Sequence, residues 1–376
     1  MVAAAFDHQH AGAGPPRASP VLLCCFYLLG MGVVCNWVAL LQCQDYLGPL
    51  FTAYSPSRVL TAAYAALDLL AQSLLFFFGD RLWANKRSRM VAGYAACTAV
   101  TAALPLLDMY LLDTAAAALG PQAATAAYFG AWAGYSLVAG ACSAIIGSVT
   151  YAQAAVYGPS YCQAFVRGRA ASGLSCILVR VLTKATLPDS PAGLRQSTLL
   201  FLGAAAALLA ACTAAASWLP KEAPGKAAAA AVSVGFFVPC FIFPAMLSPE
   251  AGSWPAVGSW WTIMLVGAFQ AGAVAGSALP LYSIQHPQRF ISLLAWGQWA
   301  VVPATLAALA LHGGPLALLG ITFGSMVYGY HVASLVFWLA CEGLGSAADV
   351  ELVQGLLVLT LTAARLAGLL LSWLWG

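Results

Sequence analysis

Charge is what this sequence lacks most. Only 7% of its 376 residues are Asp, Glu, Lys or Arg, whereas soluble domains carry about 25%. A folded chain of this length with so few charges cannot cover itself with a surface that water solvates. The shortage excludes a soluble enzyme, a nucleic-acid-binding protein and a disordered scaffold. The net charge of +3 is scattered along the chain and favours no polyanionic partner.

The motifs of catalysis and metal binding are also missing. The eleven cysteines form no Cys-x-x-Cys pair and lie mostly in apolar stretches, which predicts buried thiols and neither a zinc site nor a disulfide framework. No His-Glu-x-x-His motif and no phosphate-binding Gly-x-x-x-x-Gly-Lys-[Ser/Thr] loop occurs. His331 lies in an apolar run without a neighbouring ligand-type residue. We therefore expect no enzyme, no ATP-driven pump, no cofactor and no metal site.

Long apolar runs are what the sequence has in abundance. Hydrophobic residues make up 62% of the chain, and the mean hydropathy is +0.85. A membrane-spanning helix needs about 20 mostly apolar residues. Runs of that length predict an all-α, polytopic membrane protein with eleven transmembrane helices and short connecting loops. The predicted spans are 21–43, 59–79, 90–112, 127–153, 162–187, 196–218, 228–248, 258–281, 290–311, 315–340 and 351–375.

The positions of Lys and Arg predict how the chain is oriented. With the N-terminus in the cytoplasm, ten of these residues fall in inner loops and inner span ends, and three fall on the outer side. A break after the sixth span suggests two bundles of six and five helices, a plan common among transporters. The predicted divisions are a cytoplasmic tail 1–20, an N-terminal six-helix bundle 21–218, a cytoplasmic linker 219–227 and a C-terminal five-helix bundle 228–376.

Charged residues inside spans are costly and by default mark function. Asp68 lies in the middle of the second predicted span and Arg365 in the middle of the eleventh. Each is roughly 14 Å from the outer end of its helix, at 1.5 Å per residue. The shared depth allows a pair, which would serve as a structural lock, as a gate, or as a contact for substrate or a proton.

Two further groups of charges lie near the outer ends of their spans. Arg180 and Lys184 are four residues apart in the fifth span. Both would snorkel to the interface, and the alternative for Arg180 is a role in gating or in a charge pair. Asp108 and Asp113 lie near the outer end of the third span, where we expect both to be solvated.

Trp37 lies in a polar patch of the first span, beside Asn36 and shortly before Gln42 and Gln44. Ring stacking combined with hydrogen bonding is how a site holds a flat polar heterocycle. The alternative is that the indole is a packing residue. Small residues of the fifth and eighth spans permit close helix contact, either for sliding or for static packing; they are Gly168, Ser172, Gly173, Gly267, Gly272 and Gly276.

Six segments, in order along the chain, resemble the equilibrative nucleoside transporter family, in particular its plant and protist members. They are LLGMGVVCNWVALLQCQDYL (28–47), ANKRSRMVAGY (84–94), GPSYCQAFVRGRAASG (158–173), VRVLTKATLP (179–188), YGYHVAS (328–334) and LLLSWLW (369–375). The resemblance implies an eleven-helix, major-facilitator-like fold. It also implies alternating access for nucleosides or nucleobases between the two bundles, by facilitated diffusion or proton symport.

The sequence departs from this family where the family recognises its cargo. The eighth helix of the family carries Phe-Asn-x-x-Asp-x-x-Gly-Arg, and here Ala273 replaces the acid and Ser277 the arginine. The amide expected after Gly168 in the fifth helix is Arg169. The family's fold and transport class are compatible with these changes, but its charged Asp/Arg pair is absent.

The resemblance implies a site on the first and eighth helices. Trp37 is expected as a stacking wall and Leu41 as a neighbour that lines the path, while Gln270, Ala273 and Ser277 are expected on the eighth helix. The expected partners are a small polar substrate and the lipid bilayer of the plasma membrane or an intracellular membrane, with possible proton coupling. Two alternatives stay open: a transporter of another solute, and a membrane sensor or assembly subunit that kept the fold and lost the site.

Overall fold

Helices are the regular elements of the computed structural model, which describes residues 19–82, 85–188, 190–219, 260–279 and 315–340. The helices are α1 (Pro20–Gln42), α2 (Gln44–Leu50), α3 (Pro56–Leu82), α4 (Lys86–Asp108), α5 (Ala116–Leu119), α6 (Pro121–Tyr157), α7 (Pro159–Ala185), α8 (Pro191–Trp218), α9 (Trp261–Ala278) and α10 (Pro315–Ala340). A 3₁₀ turn (Thr52–Tyr54) precedes α3, and a π-helical segment (Met109–Ala115) continues α4.

Proline sets the starting points of most long helices. It is the first residue of α1, α3, α6, α7, α8 and α10. Proline has no backbone N–H, and at the first position of a helix this costs no hydrogen bond, because an N–H there would have no acceptor within the helix. The other long helix of the first bundle, α4, begins after Asn85, whose side chain accepts a hydrogen bond from the Ser88 amide at 3.0 Å. The signals that start these helices are therefore local in the sequence.

Long helices match the predicted spans wherever the chain is described. The first six spans correspond to α1, α3, α4, α6, α7 and α8, and the eighth and tenth correspond to α9 and α10. Within the described ranges, five helical segments are long and apolar enough to cross a membrane: Pro20–Gln42, Pro56–Phe78, Lys86–Ala118, Pro121–Ala154 and Pro191–Trp218. The predicted seventh, ninth and eleventh spans lie outside the described residues. The count of eleven and the domain boundaries therefore stay predictions.

α1 runs through the core of the first six long helices. Carbonyl oxygens of α1 accept hydrogen bonds from neighbouring helices; for example, Tyr94 of α4 donates to Leu29 at 2.6 Å, and Cys212 of α8 donates to Leu28 at 3.2 Å. On the α7 side, a Cβ on Gly168 would overlap the carbonyl oxygen of Tyr27. The small residue therefore lets two helix backbones touch, as is usual in membrane bundles.

α7 joins this bundle to α9 and α10. Ile177 shares an apolar cluster with Val266, and Ala170 shares another with Ala273. Between these two levels, Gly173 lies against the side chain of Gln270. Residue numbers fall along α7 as they rise along α9, so the two helices pack antiparallel along most of α9.

The small residues predicted to let these helices slide have different neighbours. Gly173 of α7 does face α9, but Gly168 faces α1. Gly272 and Gly276 of α9 lie against the backbone carbonyls of Phe323 and Val327 of α10. The expectation that these residues bring the fifth and eighth spans together was therefore wrong for Gly168, Gly272 and Gly276, which join α7 to α1 and α9 to α10.

Candidate functional site

Trp37 lies where the first bundle meets α9 and α10. Its ring centroid is 5.1 Å from that of Tyr64 on α3, at an interplanar angle of 51°. The half-buried indole packs both against the core of the first bundle and against a second apolar cluster. That second cluster contains Leu41, Ile177, Trp261, Ile263, Leu265, Val266 and Leu318. Trp37 and Leu41 are thus brought together at the junction, and their roles toward a substrate stay predictions.

The three predicted site residues of α9 face α7 and α10. Gln270 is buried, and its carboxamide fills the space beside Gly173. Ala273 is fully buried with Ala170, Met326 and Tyr330. Ser277 is buried and donates a hydrogen bond to the Val274 carbonyl at 2.9 Å.

The charges that the family carries on the eighth helix have no equivalent on α9, but α7 holds a buried cation at similar depth. Arg169 is 6% exposed and donates from Nη1 to the hydroxyl of Tyr151. Its guanidinium carbon lies 5.1 Å from the centre of the same ring. Arg169 neighbours Ala170, which packs on Ala273. The guanidinium is directed toward α6, within the first bundle.

Asp68 is buried on α3, at 5% exposure. A Cβ on Gly140 of α6 would lie 3.2 Å from the Asp68 amide nitrogen, so α3 and α6 are in close contact at this level. Arg365 lies outside the described residues, and the predicted pair of Asp68 with Arg365 stays a prediction.

A buried ionic cluster, which we call the Asp45 cluster, lies at the end of the bundle where α1 finishes, the outer end in the predicted orientation. Arg180 Nη2 lies 2.7 Å and 3.0 Å from the two carboxylate oxygens of Asp45. Lys184 Nζ lies 3.0 Å from Asp45 Oδ2. Arg180 also donates from Nη1 to Ser197 Oγ of α8 at 2.9 Å. The side chains of Arg180, Lys184 and Asp45 are 0%, 6% and 2% exposed, so the snorkelling alternative was wrong.

A second ionic cluster lies at the same end. Arg195 Nε lies 2.6 Å from Asp108 Oδ2, and its two terminal nitrogens each lie 2.8 Å from an oxygen of Asp113. Tyr46 donates to Asp108 Oδ1 at 2.9 Å. Burial and the neighbouring Asp108 carboxylate raise the pKa of Tyr46 well above its ordinary value, so its hydroxyl remains a donor.

Asp108 was expected to be solvated, and this was wrong because its side chain is 0% exposed. Asp113, at 52%, is solvated as expected. The short helix α2, which carries both Asp45 and Tyr46, was not predicted from the sequence. An acid that directly follows the end of a span, together with two cations near the outer end of another span, was the available signal. The pairing of this acid with these cations cannot be inferred without knowing that α1 and α7 are neighbours.

A small cavity of about 190 Å³ adjoins the Asp45 cluster. Its lining residues are Lys184, Ala185, Leu187, Pro188, Gly193, Leu194, Ser197 and Trp260. Pockets for drug-sized ligands usually measure about 300–1,000 Å³. The cavity is therefore too small for a nucleoside, and it is a feature of the junction between α7, α8 and the start of α9.

Comparison with known proteins places the chain among membrane transporters. No family model matches it. It is 33% identical to equilibrative nucleotide transporter 7 of Arabidopsis thaliana over 192 residues, which is 51% of this chain and 43% of that protein. Two other proteins of the same plant align along nearly their whole length. Equilibrative nucleotide transporter 3 is 24% identical, and the alignment covers 94% of each chain. Equilibrative nucleotide transporter 2 is 23% identical, and the alignment covers 96% of each chain. The resemblance to equilibrative transporters is confirmed, and the chain is a divergent relative of these proteins.

Solved structures with a similar fold are transporters of the major facilitator type. The proton:xylose symporter XylE aligns with a TM-score of 0.69 at 10% identity, covering 94% of this chain and 87% of that one. A bacterial homologue of the iron transporter ferroportin aligns with a TM-score of 0.55 at 15% identity, covering 95% and 92%. The predicted major-facilitator-like fold is confirmed, and so is a multi-pass integral membrane protein.

Proposed function

We propose that this protein is a facilitative transporter that moves a nucleoside, a nucleobase or a related small polar solute by alternating access. The observation that carries the proposal is the alignment with equilibrative nucleotide transporter 3 over 94% of both chains. The major-facilitator-like fold supports it, because two bundles with a path between them are the usual machinery for alternating access. A sensor or assembly subunit is not favoured, since the full-length relatives are named transporters.

The candidate path passes the junction of α1, α7 and α9. Trp37 and Leu41 approach it from α1, and Gln270 approaches it from α9. An indole and a carboxamide suit a flat, polar ring system, which would stack on one and exchange hydrogen bonds with the other. These contacts favour the base of a nucleoside over its sugar.

The lost charges argue against strong recognition of ribose. Hydrogen bonds to charged groups are roughly twice as strong as those between neutral groups. Ala273 and Ser277 supply no charge, and the Ser277 hydroxyl already donates to Val274. We therefore expect nucleobase transport to be favoured and uridine or adenosine transport to be weak.

Uptake by the purified full chain in proteoliposomes tests this proposal. Labelled uracil, adenine, uridine, adenosine and an unrelated sugar would be offered one at a time, with empty liposomes as the control. Saturable uptake of a base or nucleoside supports the function. High-affinity uridine or adenosine uptake would refute the expected weak ribose recognition, and no uptake or counterflow of any of the solutes offered would refute the proposed cargo class.

Proton coupling is tested in the same vesicles. An imposed pH gradient would drive accumulation above the equilibrium level if transport is coupled to protons. If the transporter is facilitative, the gradient changes only the initial rate and the final internal concentration equals the external one.

A further inference from the structure

Lys184 connects the first bundle to the start of α9. Its Nζ atom lies 3.0 Å from Asp45 Oδ2 and 5.1 Å from the ring centre of Trp260, the residue that precedes α9. The residue is 8% exposed. An ammonium within about 6 Å of an indole face is attracted by the ring quadrupole, and more strongly when water is excluded. One side chain therefore bonds to both halves of the molecule.

The Asp45 side of this contact is fixed within the first bundle. Arg180 holds both oxygens of the Asp45 carboxylate, and Ser197 accepts from the other terminal nitrogen of Arg180. These residues belong to α2, α7 and α8, so their bonds persist when α9 moves relative to the bundle. The geometry of Arg180 suits a staple of the first bundle, and Lys184 is the member of the cluster whose contacts extend to the other half.

Apart from the Gln270 carboxamide, which lies against Gly173, the contacts described elsewhere in the α7–α9 interface are between apolar and small residues. Ile177 packs with Val266, and Ala170 packs with Ala273. Such contacts are non-directional and allow two helices to separate or tilt at little cost in specific bonds. The Lys184–Trp260 contact differs because it depends on the position of a charge over a ring. The adjoining cavity of about 190 Å³, lined by both residues, gives the two side chains room to part.

We propose that the contact between Lys184 and Trp260 is the latch that keeps the outer end of the α7–α9 interface closed during transport. Both are positioning residues: they set the balance between closed and open outer ends and do not touch the cargo. This inference rests on the proposed transport function. Cation–π contacts of this kind correspond to a change of about 2- to 30-fold in that equilibrium.

Distance measurements by pulsed electron paramagnetic resonance test the latch. Spin labels on genetically encoded azido residues leave the eleven native cysteines untouched. One pair, at positions 192 and 316, joins the outer ends of α8 and α10; a second pair, at 217 and 279, joins the inner ends of α8 and α9. Ala192, Leu316, Ser217 and Leu279 are exposed. The full chain is measured in lipid nanodiscs without cargo, so the result does not depend on which solute is transported.

The variants are Lys184→Met and Trp260→Leu, with Lys184→Arg and Trp260→Phe as conservative partners. Trp260→Leu leaves the bonds of Asp45 intact and so guards against a simple folding defect. We expect either disruptive variant to increase the population with the longer 192–316 distance by about 2- to 30-fold and to shorten the 217–279 distance. The conservative variants should retain most of the closed population.

The double variant and a matched control test whether Lys184 and Trp260 act on the equilibrium through their mutual contact. Both substitutions remove the Lys184–Trp260 contact, and the Asp45 bond that Lys184→Met also removes lies within the first bundle. Lys184→Met with Trp260→Leu should therefore shift the equilibrium no further than Lys184→Met alone. Arg195→Gln, which disrupts the second ionic cluster inside the first bundle, should leave the ratio of the two distances unchanged. Unchanged distances in both disruptive variants, additive shifts in the double variant, or an equal shift in Arg195→Gln would each overturn the proposal. Absence of uptake with an intact latch would refute the proposed function instead.

Discussion

At the scale of single residues, the Asp45 carboxylate has the most consequential surroundings. It is 2% exposed and balances two cations, one of which is fully buried. Removing one member of a buried ionic group strands the others without compensation, which costs more than the intact group contributes. The same substitution at an exposed pair costs little, because water solvates the remaining charge.

We therefore predict that Asp45→Asn lowers the stability of the folded protein by about 3–5 kcal/mol. Thermal unfolding in detergent, followed by the loss of monodisperse protein, measures the effect. Asp113→Asn is the matched control, because Asp113 bonds to Arg195 but its side chain is 52% exposed. It should leave the unfolding temperature nearly unchanged, because water solvates the charge that remains. Equal losses in the two variants would contradict this account of burial.

A second residue-scale prediction concerns Trp37. If the indole is a stacking wall, Trp37→Ala should weaken cargo binding by about 1–3 kcal/mol, the range for stacking on a base. Binding to the purified protein measures the loss for whichever solute the uptake assay identifies. Trp218→Ala removes a tryptophan that is 57% exposed on the outside of α8 and should leave affinity unchanged. Unaltered affinity in Trp37→Ala would show that the ring is a packing residue.

At the scale of helices, the close approach of α1 and α7 depends on glycine. A Cβ on Gly168 would overlap a backbone carbonyl, which cannot rotate away as a side chain can. Gly203 of α8 is exposed and has no atom of another described residue near the position of a Cβ. The two glycines have the same helical backbone and different surroundings.

Gly168→Ala should consequently destabilise the protein, whereas Gly203→Ala should leave stability unchanged or raise it by up to about 1 kcal/mol through helix propensity. Unfolding temperatures of the two variants, measured side by side, test this. Similar unfolding temperatures would show that α1 and α7 are less closely packed than described.

The sequence predicted the long helices well and the contacts between them poorly, for a physical reason. Apolar runs act within about 20 residues, so the predicted span 21–43 lies within one residue of α1 at each end, and the predicted span 196–218 ends where α8 ends. The Asp45–Arg180 bond joins positions 135 apart. No local pattern encodes such a pairing. The error on Asp108 has the same origin, since its place near a helix end suggested water, and the bonds that bury it come from α2 and α8.

At the scale of the whole molecule, the two halves meet through α1 and α7 on one side and α9 and α10 on the other. In the predicted eleven-helix arrangement, the second and eleventh spans also meet at this interface. Asp68 of α3 is buried close to α6, and Arg365 is its predicted partner at a similar predicted depth in the membrane. An unpaired charge at that depth costs at least about 2.5–3.5 kcal/mol on insertion scales.

A double-mutant cycle on folded yield tests that pair. We expect Asp68→Asn and Arg365→Gln each to lower the yield, and the double substitution to lower it less than the sum of the two. Thr61→Ala on α3 serves as a control without an ionic partner, since its hydroxyl bonds within its own helix. Strictly additive losses would exclude a direct contact between Asp68 and Arg365.

The distance in sequence between Asp45 and its cations also has a consequence for how the chain is made. Arg180 and Lys184 follow Asp45 by 135 and 139 residues. At a synthesis rate of about 5–20 residues per second, the acid waits roughly 7–27 s for its first partner. During that interval Asp45 and α2 must stay at the membrane surface, solvated by water and head groups. The outer end of the first bundle is therefore completed only after α7 emerges from the ribosome. A nascent chain that ends before α7 would leave this end of the bundle incomplete and exposed to the quality-control machinery of the cell.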